Sequence, residues 1–510
     1  MKAPTHTRVL IVGAGFSGLG MAIRLSQNGD QDYVILEKAD DVGGTWRDNR
    51  YPGCACDVPS RLYSFSFAQN PSWSREFAPA EEIWQYLRDC TERYGIHDRI
   101  AFGADLEALT YDESTRRWLA TAHDGRTWTA DAVVLGVGAL HQPQRPDIPG
   151  LDSFQGPVLH SALWPADDKL TGKRVAVVGT GASSVQLVPA LAPRTQQLHV
   201  FQRTAAWILP KHDKELSARR HAAYRVVPGL QRAVRWATYW ELESRVLGFA
   251  RYPKAMALVQ RVSLRHLAKS VADPQVRAKL TPDYTIGCKR VLVSNDYWPA
   301  FERDDVEIVT DGIVRVEPDA VVTADGTRRE VDAIVLGTGF NIGGSFERID
   351  IRGVGGASMA DSWSSGMETN LGITVAGYPE LYLLLGPNTG LGHTSVVMMI
   401  EFATRYILQC LERASASGVS HVATSQTQVE FIAEMRQRSK GTVWASGCHS
   451  WYLDRYGNNT VVWPGSTLSY WWRTRRVDPA HFEPVPARLP APAHSLPVPA
   501  QGETHVPQRL

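Results

Sequence analysis

A chain of 510 residues, 44% hydrophobic and 21% charged, is long enough for about two or three packed units of a globular protein. The formal net charge of +1 does not indicate binding to nucleic acid. The sequence also contains no dense basic run of the kind that would indicate binding to a lipid surface. The apolar runs are too short for a signal peptide or a membrane-spanning helix, so we expect a cytoplasmic protein with no membrane insertion. The six cysteines lack zinc-site spacing, and we expect reduced thiols and no metal site.

The first chemical motif is a glycine-rich turn between an apolar strand at 9–12 and a helical segment. The turn contains Gly13, Gly15, Phe16, Ser17 and Gly18. A second apolar strand at 33–36 ends in Glu37. Glycines let the backbone approach a pyrophosphate at the helix N-terminus, and the Glu37 carboxylate can accept both ribose hydroxyls. An acid repels a 2′-phosphate, so this unit is predicted to bind FAD or NAD.

The same pattern recurs further along the chain, with apolar strands at 175–178 and 198–201. The turn and the end of the second strand contain Gly179, Thr180, Gly181, Ser183, Ser184, Arg203 and Thr204. Ser184 replaces the third glycine, which weakens this motif when it is taken alone. Arg203 follows the strand that corresponds to the acid-ended strand of the first unit. Because a guanidinium pairs well with a 2′-phosphate, Arg203 predicts NADPH.

Two further stretches, 121–138 and 323–339, also resemble each other. Each is typical of a hairpin followed by an apolar strand. The turns are predicted at Asp124-Gly125 and Asp325-Gly326, where we expect positive φ at both central positions. Their recurrence supports two nucleotide-binding units. The fold class expected is therefore α/β, with two Rossmann-like dinucleotide-binding domains and a helical insertion.

These patterns divide the chain into discontinuous domains. We place the first part of the FAD-binding domain at 1–145, the first part of the NADP-binding domain at 150–210, the helical insertion at 211–287, the second part of the NADP-binding domain at 288–375, the C-terminal part of the FAD-binding domain with an aromatic substrate-side loop at 376–477, and a proline-rich disordered tail at 478–510. Within the insertion, Val234, Ala237 and Trp240 are expected to face the protein body.

The reduced flavin needs an electron acceptor. A flavin disulfide reductase would carry a redox-active cysteine pair soon after the first acid-ended strand, whereas this chain has Cys54-Ala55-Cys56. Those cysteines are too close together for an easily formed, unstrained disulfide. Molecular oxygen is therefore the favoured acceptor, and a monooxygenase is the favoured reaction class.

Two longer motifs resemble those of the Baeyer–Villiger monooxygenases, a family of class B flavin-dependent monooxygenases. The pattern F-x-G-x-x-x-H-x-x-x-W-P is matched by Phe154, Gly156, His160, Trp164 and Pro165. Related flavin monooxygenases and N-hydroxylases usually differ at the Trp-Pro end. The pattern [A/G]-G-x-W-x4-[F/Y]-P-[G/M]-x3-D is matched from Gly43 to Asp57. The resemblance covers about residues 8–475.

The resemblance implies an FAD enzyme that uses NADPH and O2 to convert ketones to esters or lactones through a C4a-peroxyflavin. Arg290 is expected beside the flavin, where a permanent positive charge stabilises the peroxide and the later oxyanion, and Asp57 is expected to hold Arg290. Lys289, with Arg203 and Thr204, is expected at the 2′-phosphate.

The remaining expected contacts follow from the same resemblance. Thr45, Trp46, Asp57 and Tyr63 are expected to contact the cofactor. His160 and its motif are expected to couple domain motion to cofactor binding rather than to transfer protons. In the aromatic segment 450–465, Trp451 is the candidate for contact with nicotinamide or substrate.

Two alternatives stay open from the residues. One is a sulfide or amine oxygenase, because the same oxygenating species becomes electrophilic when it is protonated. The other is a non-catalytic sensor that binds FAD and NADPH, against which the presence of Arg290 and Asp57 argues.

Overall fold

Two largely parallel sheets organise the chain, and the computed structural model describes residues 4–448, 450–454 and 456–485. The strands are β1 (Thr5–Val12), β2 (Tyr33–Leu36), β3 (Ile100–Ala101), β4 (Leu106–Asp112), β5 (Arg117–Ala122), β6 (Thr127–Leu135), β7 (Val158–His160), β8 (Arg174–Val178), β9 (Gln197–Phe201), β10 (Ile208–Leu209), β11 (Leu292–Val293), β12 (Val306–Val309), β13 (Ile313–Glu317), β14 (Ala320–Thr323), β15 (Arg328–Glu330), β16 (Ala333–Leu336), β17 (Asp350–Arg352), β18 (Leu381–Leu383), β19 (His421–Ala423) and β20 (Phe482–Pro484).

The α-helices lie on and between these sheets. They are α1 (Phe16–Gln27), α2 (Thr45–Asp48), α3 (Ala80–Arg93), α4 (Ala182–Leu191), α5 (Ala218–Val226), α6 (Leu230–Ser244), α7 (Met256–Ser270), α8 (Pro274–Leu280), α9 (Gly344–Glu347), α10 (Met359–Ser362), α11 (Val396–Ser417), α12 (Ser425–Ser439) and α13 (Thr467–Thr474). Within the described residues, no helix is long and apolar enough to cross a membrane.

The first sheet has the strand order β17-β4-β5-β6-β1-β2-β3, and β18 also pairs with β6. Strand β1 is parallel to both β2 and β6, with Ile11 opposite Ile35 and Val134. The carboxyl ends of parallel strands meet at one edge of a sheet, which is where α/β folds bind ligands. The glycine turn after β1 and Glu37 after β2 therefore lie together at that edge.

The second sheet has the order β12-β9-β8-β16-β7, and all its pairings are parallel. Gly179 follows β8 and Arg203 lies just beyond β9, so this sheet repeats the arrangement of the first. Two Rossmann-like units with helices between their strands confirm the predicted fold class.

Both predicted hairpins form, between β5 and β6 and between β14 and β15. Only the glycines of the Asp-Gly turns have positive φ, so the expectation of positive φ at both central positions was wrong. The aspartates act through their side chains instead. The Oδ1 atom of Asp124 accepts from the Arg126 N–H at 3.0 Å, and that of Asp325 accepts from the Thr327 N–H at 3.0 Å.

The chain leaves the second sheet earlier than the predicted boundary at residue 375. Strand β17 already pairs with β4 of the first sheet, which places the return before Asp350. The predicted disordered tail at 478–510 was also wrong in its first part, because β20 pairs with β19 and the Val485 N–H donates to the Ser420 carbonyl at 2.9 Å. Residues 486–510 of that tail lie outside the described part of the chain.

The helical region contains α5 to α8 and a π-helical turn at Leu247–Arg251. The prediction that Val234, Ala237 and Trp240 face the body was wrong, since Trp240 is 55% exposed. Helix α6 instead buries Arg235, Thr238, Tyr239, Leu242 and Glu243. Its charged residues are buried because they are hydrogen-bonded: Arg235 donates to the Arg61 carbonyl at 2.6 Å, and Glu243 accepts from Thr467 at 2.7 Å.

The buried Glu380 carboxyl, next to β18, is expected to make the stability of the protein depend on pH in an unusual way. Glu380 accepts from the Tyr382 hydroxyl at 2.7 Å and from the His421 N–H at 2.8 Å. Burial raises the pKa of Glu380 from 4.5 to about 7. Between pH 4.5 and about 7, the folded protein therefore binds more protons than the unfolded chain. The stability that the protonated Glu380 carboxyl contributes is fully present below pH 4.5 and is lost as pH rises through about 7.

Replacing Glu380 by Gln removes the ionisation. We expect the melting temperature of Glu380→Gln to fall less than that of the wild type as pH rises from about 5 to about 8. Calorimetry of the FAD-loaded protein at several pH values measures this, with the exposed Glu81→Gln as control. Equal pH slopes for Glu380→Gln and wild type would contradict the assignment.

Candidate active site

The first glycine turn is shaped by close backbone contacts. A Cβ on Gly13, whose φ is +96°, would lie 2.7 Å from the Gly136 carbonyl oxygen, and a Cβ on Gly18 would lie 1.8 Å from the Gly13 carbonyl oxygen. Gly15 occupies the N-cap position of α1. The N-terminal N–H groups of α1 therefore face the carboxyl edge of the sheet, an arrangement that binds phosphate groups.

A cavity of about 1030 Å³, its open mouth included, lies above this turn. Its wall contains most of the predicted FAD contacts: Gly13, Gly15, Phe16, Ser17, Glu37, Thr45, Trp46 and Tyr63. Gly18 lies behind the turn. A large cleft at the carboxyl ends of parallel strands, with a helix N-terminus in its wall, fits a dinucleotide such as FAD.

Glu37 makes more contacts within the protein than expected. Its Oε2 atom accepts from the Ala14 N–H at 2.7 Å, and its Oε1 atom accepts from the Ala39 N–H at 3.1 Å and from Arg47 Nη1 at 2.9 Å. A carboxylate offers about four acceptor sites, so these contacts leave room for one ribose hydroxyl rather than two. Sequence reasoning missed the contact of Arg47 with Glu37. The one sequence feature that could have indicated it is the position of Arg47 within the motif matched from Gly43 to Asp57.

The second turn repeats the backbone contact of the first. A Cβ on Gly179 would lie 2.6 Å from the Gly337 carbonyl oxygen. Ser184 stands where the first unit has Gly18, and its hydroxyl fills the space that a Cβ on Gly337 would need. The serine is thus accommodated by a glycine on the facing strand. Thr180 Oγ1 donates to the Thr204 carbonyl at 2.8 Å, which ties the turn to the end of β9. Gly181 and Ser183 lie at the start of α4.

Arg203 and Lys289 form a positively charged cluster beside this turn. Burial and, next, the charge of Arg203 lower the pKa of Lys289, so the two cations are close neighbours. The Lys289 ammonium lies 4.9 Å from the centre of the Tyr284 ring. Within the described residues, neither cation has a carboxylate within salt-bridge distance. Asp283 acts on Lys289 from beyond salt-bridge distance, and two neighbouring cations without a direct carboxylate contact favour an anionic ligand such as a 2′-phosphate.

Arg290 and Asp57 form a bidentate ion pair at the junction of the two units. Arg290 Nε donates to Oδ2 at 2.9 Å, and Nη2 donates to Oδ1 at 2.8 Å and to Oδ2 at 2.7 Å. Nη1 makes a longer contact of 3.4 Å with the Leu391 carbonyl. Both side chains are half-buried, and the charge of Asp57 raises the pKa of Arg290. The guanidinium therefore keeps its charge at any working pH.

The neighbouring rings of Trp451 and Tyr452 differ strongly in exposure, and contact of Trp451 with nicotinamide or substrate stays a prediction. Trp451 is 45% exposed, whereas Tyr452 is 1% exposed and lies where the charge of Arg290 acts on its hydroxyl. Sequence reasoning missed Tyr452.

The expectation of reduced thiols was wrong for Cys288 and Cys448, which form a disulfide across 160 residues of sequence. Spacing alone does not reveal such a pair, because only folding brings the two segments together.

The residues of the segment 154–165 pack on the second unit, where β7 is the edge strand of the second sheet. Phe154 and Trp164 are buried, Pro165 is half-buried, and a Cβ on Gly156 would lie 2.3 Å from the Asp332 carbonyl oxygen. His160 Nδ1 accepts from the Ala162 N–H at 3.1 Å, and burial lowers the pKa of His160. These contacts agree with the expectation that His160 does not transfer protons, which stays a prediction.

Comparison with known proteins supports the same assignment. The model of the flavin-binding monooxygenase-like family matches residues 6–217. A Baeyer–Villiger monooxygenase of Streptomyces coelicolor is 43% identical over 494 residues, covering 96% of this chain and 95% of that protein. A Baeyer–Villiger monooxygenase of Pseudomonas aeruginosa is 44% identical over 503 residues, covering 98% and 95%.

Solved structures agree over nearly the whole chain. Cyclohexanone monooxygenase from Rhodococcus sp. Phi1 bound to NADP+ has a TM-score of 0.85 at 27% identity, covering 94% of this chain and 99% of that chain. An oxidised steroid monooxygenase bound to NADP has a TM-score of 0.84 at 29% identity, covering 94% and 100%.

The fold and the site thus define a flavoprotein oxidoreductase with two dinucleotide-binding domains. Within that class, the chain belongs to the Baeyer–Villiger monooxygenase family. It is an FAD- and NADPH-dependent monooxygenase, and the predicted family, enzyme class and cofactors are confirmed.

The backbone contact at Gly18 predicts a selective loss of FAD. Gly18→Ala places a methyl group against the Gly13 carbonyl, so the purified variant should lose most of its flavin while the second unit stays folded. The flavin-to-protein absorbance ratio measures this. Gly312→Ala, where a Cβ meets nothing within 4 Å, is the control. Wild-type flavin content in Gly18→Ala would contradict the role of this turn.

Proposed function

We propose that this protein converts small ketones to esters or lactones at the Arg290–Asp57 pair, consuming one NADPH, one proton and one O2 and releasing one water and one NADP+. The observation that carries the proposal is the bidentate pair itself, which joins Asp57 of the first unit to Arg290, the residue that follows Lys289 of the cation cluster. We further propose a cytoplasmic location.

Bound FAD supplies hydride acceptance and oxygen activation, and the protein residues bind, orient and stabilise charge. Asp57 occupies Nε and Nη2 of Arg290, so Nη1 is the part of the guanidinium available to a developing negative charge on oxygen. Preorganised donors of this kind contribute much of the rate enhancement in enzymes. A lysine is less suitable at this position, because burial lowers its pKa.

The NADPH end of the reaction is assigned to Arg203, Lys289 and Thr204. Arg203 and Lys289 lack carboxylate partners among the described residues, which supports a phosphate ligand. Thr204 is fixed through its carbonyl by Thr180. The loop that carries Trp451 and Tyr452 is assigned to the side of the site where nicotinamide and ketone meet.

Removal of the Arg290 charge should separate the two half-reactions. Arg290→Ala is expected to lower ester formation by about 10²–10³-fold, since a preorganised charge is lost, while anaerobic reduction of FAD by NADPH persists. Product analysis with linear, cyclic and aryl ketones measures the first reaction, and stopped-flow absorbance measures the second.

The control is Arg245→Ala, which removes an exposed arginine that pairs with Glu241 on α6. Ester formation by Arg290→Ala at the wild-type rate would refute the role of Arg290. A wild-type enzyme that oxidises a thioether but none of the ketones would favour the sulfide oxygenase instead.

Cofactor preference should depend on Arg203. Arg203→Ala removes a charge-assisted hydrogen bond, so KM for NADPH should rise about 10–100-fold while KM for NADH changes little. Steady-state kinetics with both cofactors measures the ratio, and the exposed Arg219→Ala is the control. An equal rise for both cofactors would contradict recognition of the 2′-phosphate by Arg203.

A further inference from the structure

A disulfide joins the two segments that meet at Arg290. Cys288 is buried and lies two residues before Arg290, whereas Cys448 is half-buried and lies four residues before Tyr452. The other cysteines, Cys54, Cys56, Cys90 and Cys410, are free. The chain thus has a covalent bond where the segment before β11 contacts the aromatic loop, here defined by the described residues 443–448 and 450–454.

Tyr452 is packed tightly in this loop. Its ring belongs to a buried cluster that includes Ile286, Trp444 and Val462, with Val291 against it. Ile286 and Val291 flank the Cys288–Arg290 segment in sequence, so the cluster places Tyr452 directly against it. The Tyr452 carbonyl accepts from the Thr460 N–H at 3.2 Å, which fixes the backbone at the ring.

The Tyr452 hydroxyl is buried beside the guanidinium. Within the described residues it approaches Arg290 without completing a well-formed hydrogen bond. Burial raises the pKa of this hydroxyl, while the charge of Arg290 acts in the opposite direction. A buried hydroxyl needs a partner, and the nearest charged donor is Arg290.

Arg290 has N–H groups on Nη1 that Asp57 does not engage. Asp57 engages Nε and Nη2, and the contact of Nη1 with the Leu391 carbonyl is long at 3.4 Å. The guanidinium is therefore held firmly along one edge only. A second neighbour is needed to fix the direction in which Nη1 points.

We propose that Tyr452 is a positioning residue for Arg290, and that the Cys288–Cys448 disulfide keeps Tyr452 in place as a redox-sensitive tether. This inference rests on the proposed role of Arg290. With the tether closed, Arg290 is held on both sides and NADPH oxidation is coupled to ester formation. With the tether open, the loop is held only by packing and its backbone hydrogen bonds, and more NADPH is consumed without ester.

The opening step needs a dithiol reductant. A thiolate of the dithiol attacks the more accessible Cys448 sulfur, and Cys288 leaves as a thiolate beside Lys289 and Arg290. The second thiol of the reductant then displaces Cys448 and closes the oxidised reductant. Two electrons and two protons pass to the cysteines, and two thiols result.

The test uses the FAD-loaded enzyme and the ratio of ester formed to NADPH consumed. Tyr452→Phe is expected to lower this coupling ratio about tenfold and to leave anaerobic flavin reduction within about twofold, because Arg290 loses the buried polar neighbour on the side that Asp57 does not hold. A merely structural role would instead lower flavin content or both half-reactions together.

The tether is tested with dithiothreitol as the probe. Peptide mapping without reductant should show the Cys288–Cys448 bond, and dithiothreitol should lower coupling of the wild type reversibly. Cys448→Ser should have low coupling that dithiothreitol no longer changes, and the control Cys90→Ala should behave as the wild type.

Each other outcome overturns part of the proposal. Wild-type coupling in Tyr452→Phe excludes the positioning role, and an equal response of Cys448→Ser and wild type to dithiothreitol excludes the tether. If the wild type forms no ester, the proposed function fails by itself. Hydrogen exchange of residues 443–454 with and without dithiothreitol then decides whether the disulfide holds the loop, and unchanged exchange refutes it.

Discussion

Arg290 and Asp57 are 233 residues apart in the chain, and their ion pair joins the two halves of the site. Asp57 belongs to the segment that follows the FAD turn, and Arg290 follows Lys289 in the cation cluster of the second unit. Charges removed from water are costly unless they are paired and hydrogen-bonded, and a bidentate carboxylate–guanidinium pair meets that need. The same pair keeps the arginine permanently charged. The pair therefore links the two units and places a permanent positive charge at their junction, beside the hydrogen bonds of Gln186 to Tyr51 and Ala55.

The duplicated architecture follows from one repeated backbone contact. Gly13 approaches the carbonyl of Gly136 in the first unit, and Gly179 approaches that of Gly337 in the second. In each case the glycine turn after one strand lies beside the residues that follow the neighbouring parallel strand. The chemistry of the two units differs most at the end of the second strand, where Glu37 follows β2 and Arg203 lies two residues beyond β9. An acid at the first position disfavours a 2′-phosphate and a guanidinium at the second favours it, which is the basis of the proposed role of Arg203.

Periodicity and motif order were sufficient for the two turns, the hairpins and the Arg290–Asp57 assignment, because these depend on local sequence or on long motifs. The packed face of α6 was not predictable from apolar spacing, since its anchors Arg235 and Glu243 are charged and are buried through hydrogen bonds. The partnership of Arg47 with Glu37 and the Cys288–Cys448 bond arise from tertiary contact. The early return of the chain at β17 is likewise a long-range strand pairing with no local signal.

The central claim is that one atom of molecular oxygen is inserted beside a ketone carbonyl at the expense of NADPH. Turnover under isotopically labelled O2, with the products analysed by mass spectrometry, tests it most directly. The account predicts an ester or lactone with one labelled oxygen in the new carbon–oxygen bond, an unlabelled carbonyl oxygen and a matching amount of NADP+. NADPH oxidation that yields only hydrogen peroxide with every ketone, or an ester without label, would contradict it.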